Sequence, residues 1–197
     1  MKPTALFLSL LTALTFLSGC GVQSIPKAKN GVEAALAEIT NQYKRRSDLI
    51  PNLVKTVKGY AKHEKETLEA VVNARSQATQ TKIDPSNLSP AQIKKFQAAQ
   101  GQLSSSLSRL LLVVEKYPNL KANQNFRDLQ AQLEGTENRI AIARQRYIAS
   151  IKHFNDQITV PPSSWTNSMF YNHTKMPQWD VDASEKEKIE KTPEVNF

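Results

Sequence analysis

The sequence predicts an all-α fold, a four-helix bundle of long amphipathic helices. Three observations carry that expectation. Between about residue 29 and residue 159, glycine occurs only at Gly31, Gly59, Gly101 and Gly135, in a background rich in the helix formers Ala, Leu, Gln, Lys, Arg and Glu. Apolar residues there alternate three and four positions apart, which lines them along one stripe of a helix. No stretch shows the two-residue alternation of a strand.

The first stripe runs Leu36, Ile39, Tyr43, Arg46, Ile50, Leu53, Val57, Tyr60, Glu64, Thr67, Val71, Ala74 and Ala78. Pro51 falls inside it and permits two readings. The unbroken phase favours one kinked helix. Against this, Lys44-Arg45-Arg46 suits a helix C-terminus, Ser47 or Asp48 suits the next N-cap, and proline is tolerated in a first turn. Length favours a fold-back near 47–51: at about 1.5 Å per residue, a single rod over 29–82 would outrun the helix at 90–117 and leave its stripe poorly covered. Asp84-Pro85-Ser86-Asn87 then reads as a loop, and Ser89-Pro90 as an N-cap followed by proline at the first helical position. The second stripe is Ile93, Phe96, Gln100, Leu103, Leu107, Leu110, Val114 and Tyr117, ended by Pro118-Asn119. The third is Phe126, Leu129, Leu133, Thr136, Ile140, Ala143, Tyr147, Ser150 and Phe154, with Pro161-Pro162 beyond it.

The N-terminal residues carry a different message. Lys2 is followed by an apolar run from Ala5 to Leu17 and then Leu17-Ser18-Gly19-Cys20. A positive start, an apolar run of about a dozen residues and small residues before a cut are the parts of a secretory signal. The run is shorter than the roughly 20 apolar residues of a membrane span. Leu17-Ser18-Gly19-Cys20 resembles the bacterial lipobox, in which the cysteine is acylated with palmitate-class chains and becomes the first residue. Cys20 is the single cysteine of the chain, so no disulfide framework competes for it. The expected organisation is a signal peptide at 1–19, a tether at 20–28, a helical body at 29–160, and an aromatic then charged, partly disordered tail at 161–197. Gly21, standing where Asp would retain a lipoprotein at the inner membrane, permits transport to the outer membrane, facing the periplasm, in a Gram-negative cell.

The formal net charge is +8, with a sequence pI near 9.6. For an exported chain the available polyanions are lipid headgroups and envelope polymers rather than nucleic acid. The excess is uneven: residues 20–82 carry 11 Lys or Arg against 6 acids, and 161–197 carry 4 against 6. Lys44, Arg45, Lys55, Lys58 and Lys62 form the candidate anionic surface, since a polybasic patch reinforces a lipid anchor. The plain alternative is a solvated helix face.

Catalytic constellations are lacking. His63-Glu64 has Thr67 where a zinc-protease motif places its second histidine, and His153 and His173 have no ligand at metal spacing. No metal or other cofactor is expected. The unusual feature is charge on the stripes. Arg46, Glu64, Glu137 and Arg144 read either as a polar seam that fixes helix register or as a polar groove. A pairing of Arg46 with Glu137 is the natural hypothesis. In the tail, Trp165, Met169, Phe170, Tyr171 and Trp179 either strap onto the helices or dock on a partner or headgroup region.

Two segments carry a resemblance. RRSDLIPNLVKTVKGYAKHEKETLEAVVNAR, Arg45 to Arg75, and NLKANQNFRDLQAQLEGTENRIAIARQRY, Asn119 to Tyr147, resemble the two signature blocks of the LemA family, and the resemblance covers nearly all of 30–160. It implies a bundle of four antiparallel helices, held at a membrane by its N-terminus with the body outside the cytosol, and it assigns no catalytic residue. The chain departs from the family pattern in having a lipobox where many relatives have a transmembrane helix, and Ala34-Ala35-Leu36 where relatives often carry an Asn-x-Trp element. The function expected is that of a non-enzymatic, lipid-anchored envelope protein, a helical scaffold or adaptor for another envelope protein. The alternative is a module that binds anionic lipid or an envelope polyanion through the basic face of 44–65.

Overall fold

The computed structural model describes residues 19–85 and 88–179, with side chains from residue 22 onward. The apolar run expected to act as a signal, Ser86 and Asn87, the charged stretch from Asp180 and the side chain of Cys20 lie outside the described residues. Among those residues all regular structure is helical. The order is α1 (Gly19–Tyr60), α2 (Lys65–Gln80), α3 (Pro90–Val114), α4 (Pro118–Lys121), α5 (Gln124–Thr159) and α6 (Ser163–Thr166), followed by a π-helical turn at Asn167–Tyr171. The protein is all-α, with six α-helices among the described residues rather than the four expected. Two of them, α4 and α6, are single turns of four residues.

The described residues divide into two compact units, one of residues 39–143 with Trp179, the other of residues 19–38 with 144–178. In the first, Ile50, Leu53 and Val57 of α1 join Val71 and Ala74 of α2, Leu103 and Leu110 of α3, Leu120 of α4 and Phe126 of α5 in one core. Every residue of the second stripe from Ile93 to Val114 is buried, so the three-and-four spacing places α3 correctly. Its start is set as expected: the Ser89 side chain accepts the Gln92 amide at 3.2 Å, satisfying one donor of the open first turn, and Pro90 follows.

Helix α1 corrects the fold-back expected at 47–51, for it passes through Pro51 without interruption. It also includes residues 19–28, ahead of the expected start near 29. Proline has no N–H, so the carbonyl four residues earlier, that of Ser47, loses its helical donor. Arg75 of α2 supplies one, its Nε donating to the Ser47 oxygen at 2.8 Å, and the Ser47 and Thr79 hydroxyls meet at 3.0 Å beside it. The chain turns instead at 61–64, and the stripe changes phase there. Ala61 and Leu68 are buried, while Tyr60 is 45% exposed and Thr67 is half-buried. The length estimate failed because it left the first part of α1 without a cover, which the second unit provides.

In that second unit, Ile25, Val32 and Leu36 of α1 and Tyr147, Ile151 and Phe154 of α5 are buried. Pro26 interrupts α1 as Pro51 does, orphaning the carbonyl of Val22, and here the Tyr171 hydroxyl donates to it at 2.8 Å. Two asparagine amides fasten the segment after α5 by exchanging both bonds with backbone, as a peptide group would. Asn155 donates to the Met176 carbonyl at 3.0 Å and accepts its amide at 2.8 Å. Asn167 does the same with His173, at 3.0 Å each way. Asn172 takes the left-handed conformation between them, φ 51°, which asparagine tolerates better than most residues. The Tyr171 and His173 rings stack with 5.6 Å between centroids.

Two outcomes follow from these contacts. Arg75→Met should cost about 1–3 kcal/mol in urea unfolding, the cost of leaving a part-buried carbonyl without a donor. In a Pro51→Ala background that cost should shrink toward zero, because the new amide reaches Ser47; equal costs in both backgrounds would show that Arg75 does not substitute for the missing bond. Separately, burial pushes the Tyr147 phenol up to about 12 from 10.0. The unfolded chain ionises first, so this contribution is whole below about pH 10 and is lost as pH rises toward about 12. The melting temperature of the parent should therefore fall more steeply over that window than that of Tyr147→Phe, as followed by circular dichroism.

Candidate functional site

The most polar buried position in the unit of residues 39–143 is Arg46, 1% exposed on the apolar stripe of α1. A guanidinium stays charged at any accessible pH, so burial demands acceptors on its nitrogens. Three side chains and one backbone group meet it. Nη1 donates to Glu137 Oε1 of α5 at 2.6 Å and to Ser104 Oγ of α3 at 2.7 Å. Nη2 donates to Gln100 Oε1 at 2.7 Å and to the Gln100 carbonyl at 3.2 Å, both on α3. Gln100 in turn donates through Nε2 to the Ala78 carbonyl of α2 at 3.3 Å, so one network touches α1, α2, α3 and α5. The guanidinium carbon lies 5.1 Å from the centroid of the Tyr43 ring, a cation–π contact. From Tyr43 an aromatic row continues edge-to-face to Phe96 at 5.2 Å and on to Trp179 at 6.3 Å.

Of the other residues singled out in the sequence, most do not converge on this centre. Glu137 does, forming the expected pair with Arg46, although its own side chain is 48% exposed. Glu64 sits in the 61–64 turn and accepts the Tyr117 hydroxyl at 3.0 Å. That bond, with burial and the negative charge of Glu64, raises the Tyr117 phenol above its usual range. Arg144 is half-buried on α5 in the other unit. Lys44, Arg45, Lys55, Lys58 and Lys62 are all exposed, and Lys44 is engaged by Asp48 at 2.9 Å. The side chain of Cys20 is outside the described residues. Sequence reasoning missed Gln100 as a site residue although it stands as a polar member of an otherwise apolar stripe, and it had no signal for Ser104 or Arg75, whose roles depend on which helix lies opposite.

An open groove of about 520 Å³ between α2 and α3 is lined by Asn73, Gln77, Gln102, Ser105, Ser106 and Arg109, among others. It offers hydrogen bonds and one cation, but no carboxylate or imidazole to act as a base. Among the described residues no group of three His, Cys, Asp or Glu side chains is placed to hold a metal ion, and no helix is long and apolar enough to cross a membrane.

Fold and polar centre together define an all-α protein in which a buried arginine ties helices into register. Comparison with known proteins gives the family. The chain belongs to the LemA family, whose sequence profile matches residues 35–197. Protein LemA of Metamycoplasma hominis is 25% identical over 167 residues, which is 80% of this chain and 71% of that protein. Magnetosome protein MamQ 2 of Paramagnetospirillum magneticum is 33% identical over 69 residues, 35% of this chain and 25% of its own length. Magnetosome protein MamQ of Magnetospirillum gryphiswaldense is 32% identical with the same coverage.

The exposures of 1% and 48% make the ion pair asymmetric. Glu137→Leu leaves a buried charge without its counter-ion and should cost about 3 kcal/mol, the lower end for such a loss because Gln100 and Ser104 still accept. Arg46→Met leaves a carboxylate free to turn into water and should cost less. The double variant should resemble Arg46→Met alone. Urea unfolding of the three variants checks the order, and a larger loss for Arg46→Met than for Glu137→Leu would overturn it.

Proposed function

We propose that this LemA family protein is a non-enzymatic envelope lipoprotein, anchored through an acyl group on Cys20, that serves as a helical scaffold or adaptor for another envelope protein. In this reading the helical segments of the 39–143 unit act as an antiparallel four-helix bundle, and a Gram-negative cell carries the protein on its outer membrane, facing the periplasm. The observation that supports it most is the use of the charged residues in the two family-like blocks. Arg46 and Glu137 satisfy each other and two residues of α3, and Arg75 serves a backbone carbonyl, so these groups are committed to packing. What remains for function is surface and tether. The sequence Leu17-Ser18-Gly19-Cys20 supports the tether.

A second reading rests on the exposed cations Lys44, Lys55 and Lys58, which recur at helical spacing along one side of α1. There the protein binds anionic lipid or an envelope polyanion directly.

Cys20→Ser should release the protein from membranes and remove the lipid mass from its N-terminal peptide; a variant that stays membrane-bound after its signal has been removed rejects the anchor. Cross-linking of the parent in intact cells should then capture one envelope protein, saturably and with little dependence on salt. Binding that disappears as salt rises, and with Lys55→Gln/Lys58→Gln, would favour the second reading.

A further inference from the structure

Three large apolar side chains stand out of the unit formed by residues 19–38 with 144–178. Trp165 is 61% exposed, Met169 75% and Phe170 67%. Met169 and Phe170 lie four and five residues after Trp165, about one turn on across α6 and the π-helical turn. The segment is not loosely held. Asn167 and His173 exchange two hydrogen bonds across the turn, and the stacked Tyr171 and His173 rings close it. The apolar residues are thus presented outward by a framed turn rather than left over from a frayed one.

The position of the turn is set by Tyr171, whose hydroxyl donates to the Val22 carbonyl. Val22 is itself 42% exposed, and it lies two residues after Cys20. The first residues of α1 and the segment after α5 carry basic side chains and no acid before Glu33 and Asp180: residues 19–32 contain Lys27 and Lys29, and residues 161–179 contain Lys175. On α5, Asp156 is held by Lys152 at 2.6 Å. A Trp and Phe projection on a segment whose only charge is the basic Lys175 matches the boundary of an anionic bilayer, where aromatic rings occupy the headgroup level and cations meet phosphate.

We infer that the Trp165–Met169–Phe170 turn is a membrane-insertion element, entering the headgroup region of an anionic bilayer next to the acylated N-terminus. This rests on the Cys20 anchor proposed above. A lipobox cysteine carries more than one acyl chain and holds the membrane by itself, so the turn adds a second contact that fixes how the helical body meets the surface. The turn also restrains the orientation of the first part of α1, because Tyr171 ties it to the Val22 carbonyl.

The chain has two tryptophans, so the difference in emission between the parent and Trp165→Phe isolates Trp165. The full protein, purified from membranes, is reconstituted into phosphatidylethanolamine–phosphatidylglycerol vesicles with and without brominated acyl chains, and its N-terminal peptide is weighed. In vesicles the Trp165 component should shift to shorter wavelength and lose roughly half its intensity to bromines placed near the headgroups, as an interfacial indole does. In the same vesicles, Met169→Ser/Phe170→Ser should return it toward the emission of an indole in water. An acylated, vesicle-bound protein whose Trp165 remains water-like and unquenched overturns the insertion while leaving the anchor intact. A protein without acyl mass whose Trp165 is quenched rejects the anchor and retains the insertion. Shielding of Trp165 that appears only at concentrations where the protein self-associates, without bromine quenching, makes the turn a contact between copies and overturns the proposal.

Discussion

A proline inside a helix leaves the carbonyl four residues back without its amide donor, and in α1 a side chain from a distant part of the chain meets that carbonyl twice. Pro51 leaves the Ser47 carbonyl to Arg75, and Pro26 leaves the Val22 carbonyl to Tyr171. Neither donor is local. Arg75 lies 28 residues away on α2, and Tyr171 lies 149 residues away beyond α5. The missing amide thus leaves an acceptor at which a side chain from elsewhere docks with hydrogen-bond geometry. Two prolines that break many helices here mark where α2 and the segment after α5 belong.

Arg46 applies the same logic to charge. Its guanidinium is almost wholly removed from water, and its acceptors come from α3 and α5. A buried ion pair is a poor source of stability when compared with apolar packing, but it penalises any sliding of the helices that separates its partners. Gln100 extends that penalty to α2 through the Ala78 carbonyl. The exposed end of Glu137 keeps the desolvation cost to one partner. Both terminal nitrogens of the guanidinium are taken up by this network, which leaves them no free donor for a ligand.

The aromatic residues after Pro162 divide between the two units. Trp179 joins the row that begins at Tyr43 and is 9% exposed, whereas Trp165 faces outward. From composition alone the two indoles look alike. Their different surroundings come from what each segment is fastened to: paired asparagine amides hold Met176 and His173 in place and leave the turn before them projecting.

Much of the fold was legible because helix burial follows from spacing. The stripe from Ile93 to Val114 is buried at every position, and the start at Ser89-Pro90 is set by local capping chemistry that needs no tertiary partner. Arg46 and Glu137 were visible as charges on or beside apolar stripes, which is what a buried polar pair requires of a sequence. The path of α1 was not legible. Whether Pro51 ends a helix depends on a donor from α2, and whether 19–38 can remain helical depends on a cover from 144–178. The change of phase at 61–64, the use of Gln100 and Ser104 as acceptors, and the separate fates of Trp165 and Trp179 likewise arise from residues distant in sequence. The sequence by itself determined which faces avoid water and where helices can be capped, because those are properties of neighbours along the chain. Tertiary structure alone decided which orphaned carbonyl, buried charge or aromatic ring found a partner, because each partner belongs to another element.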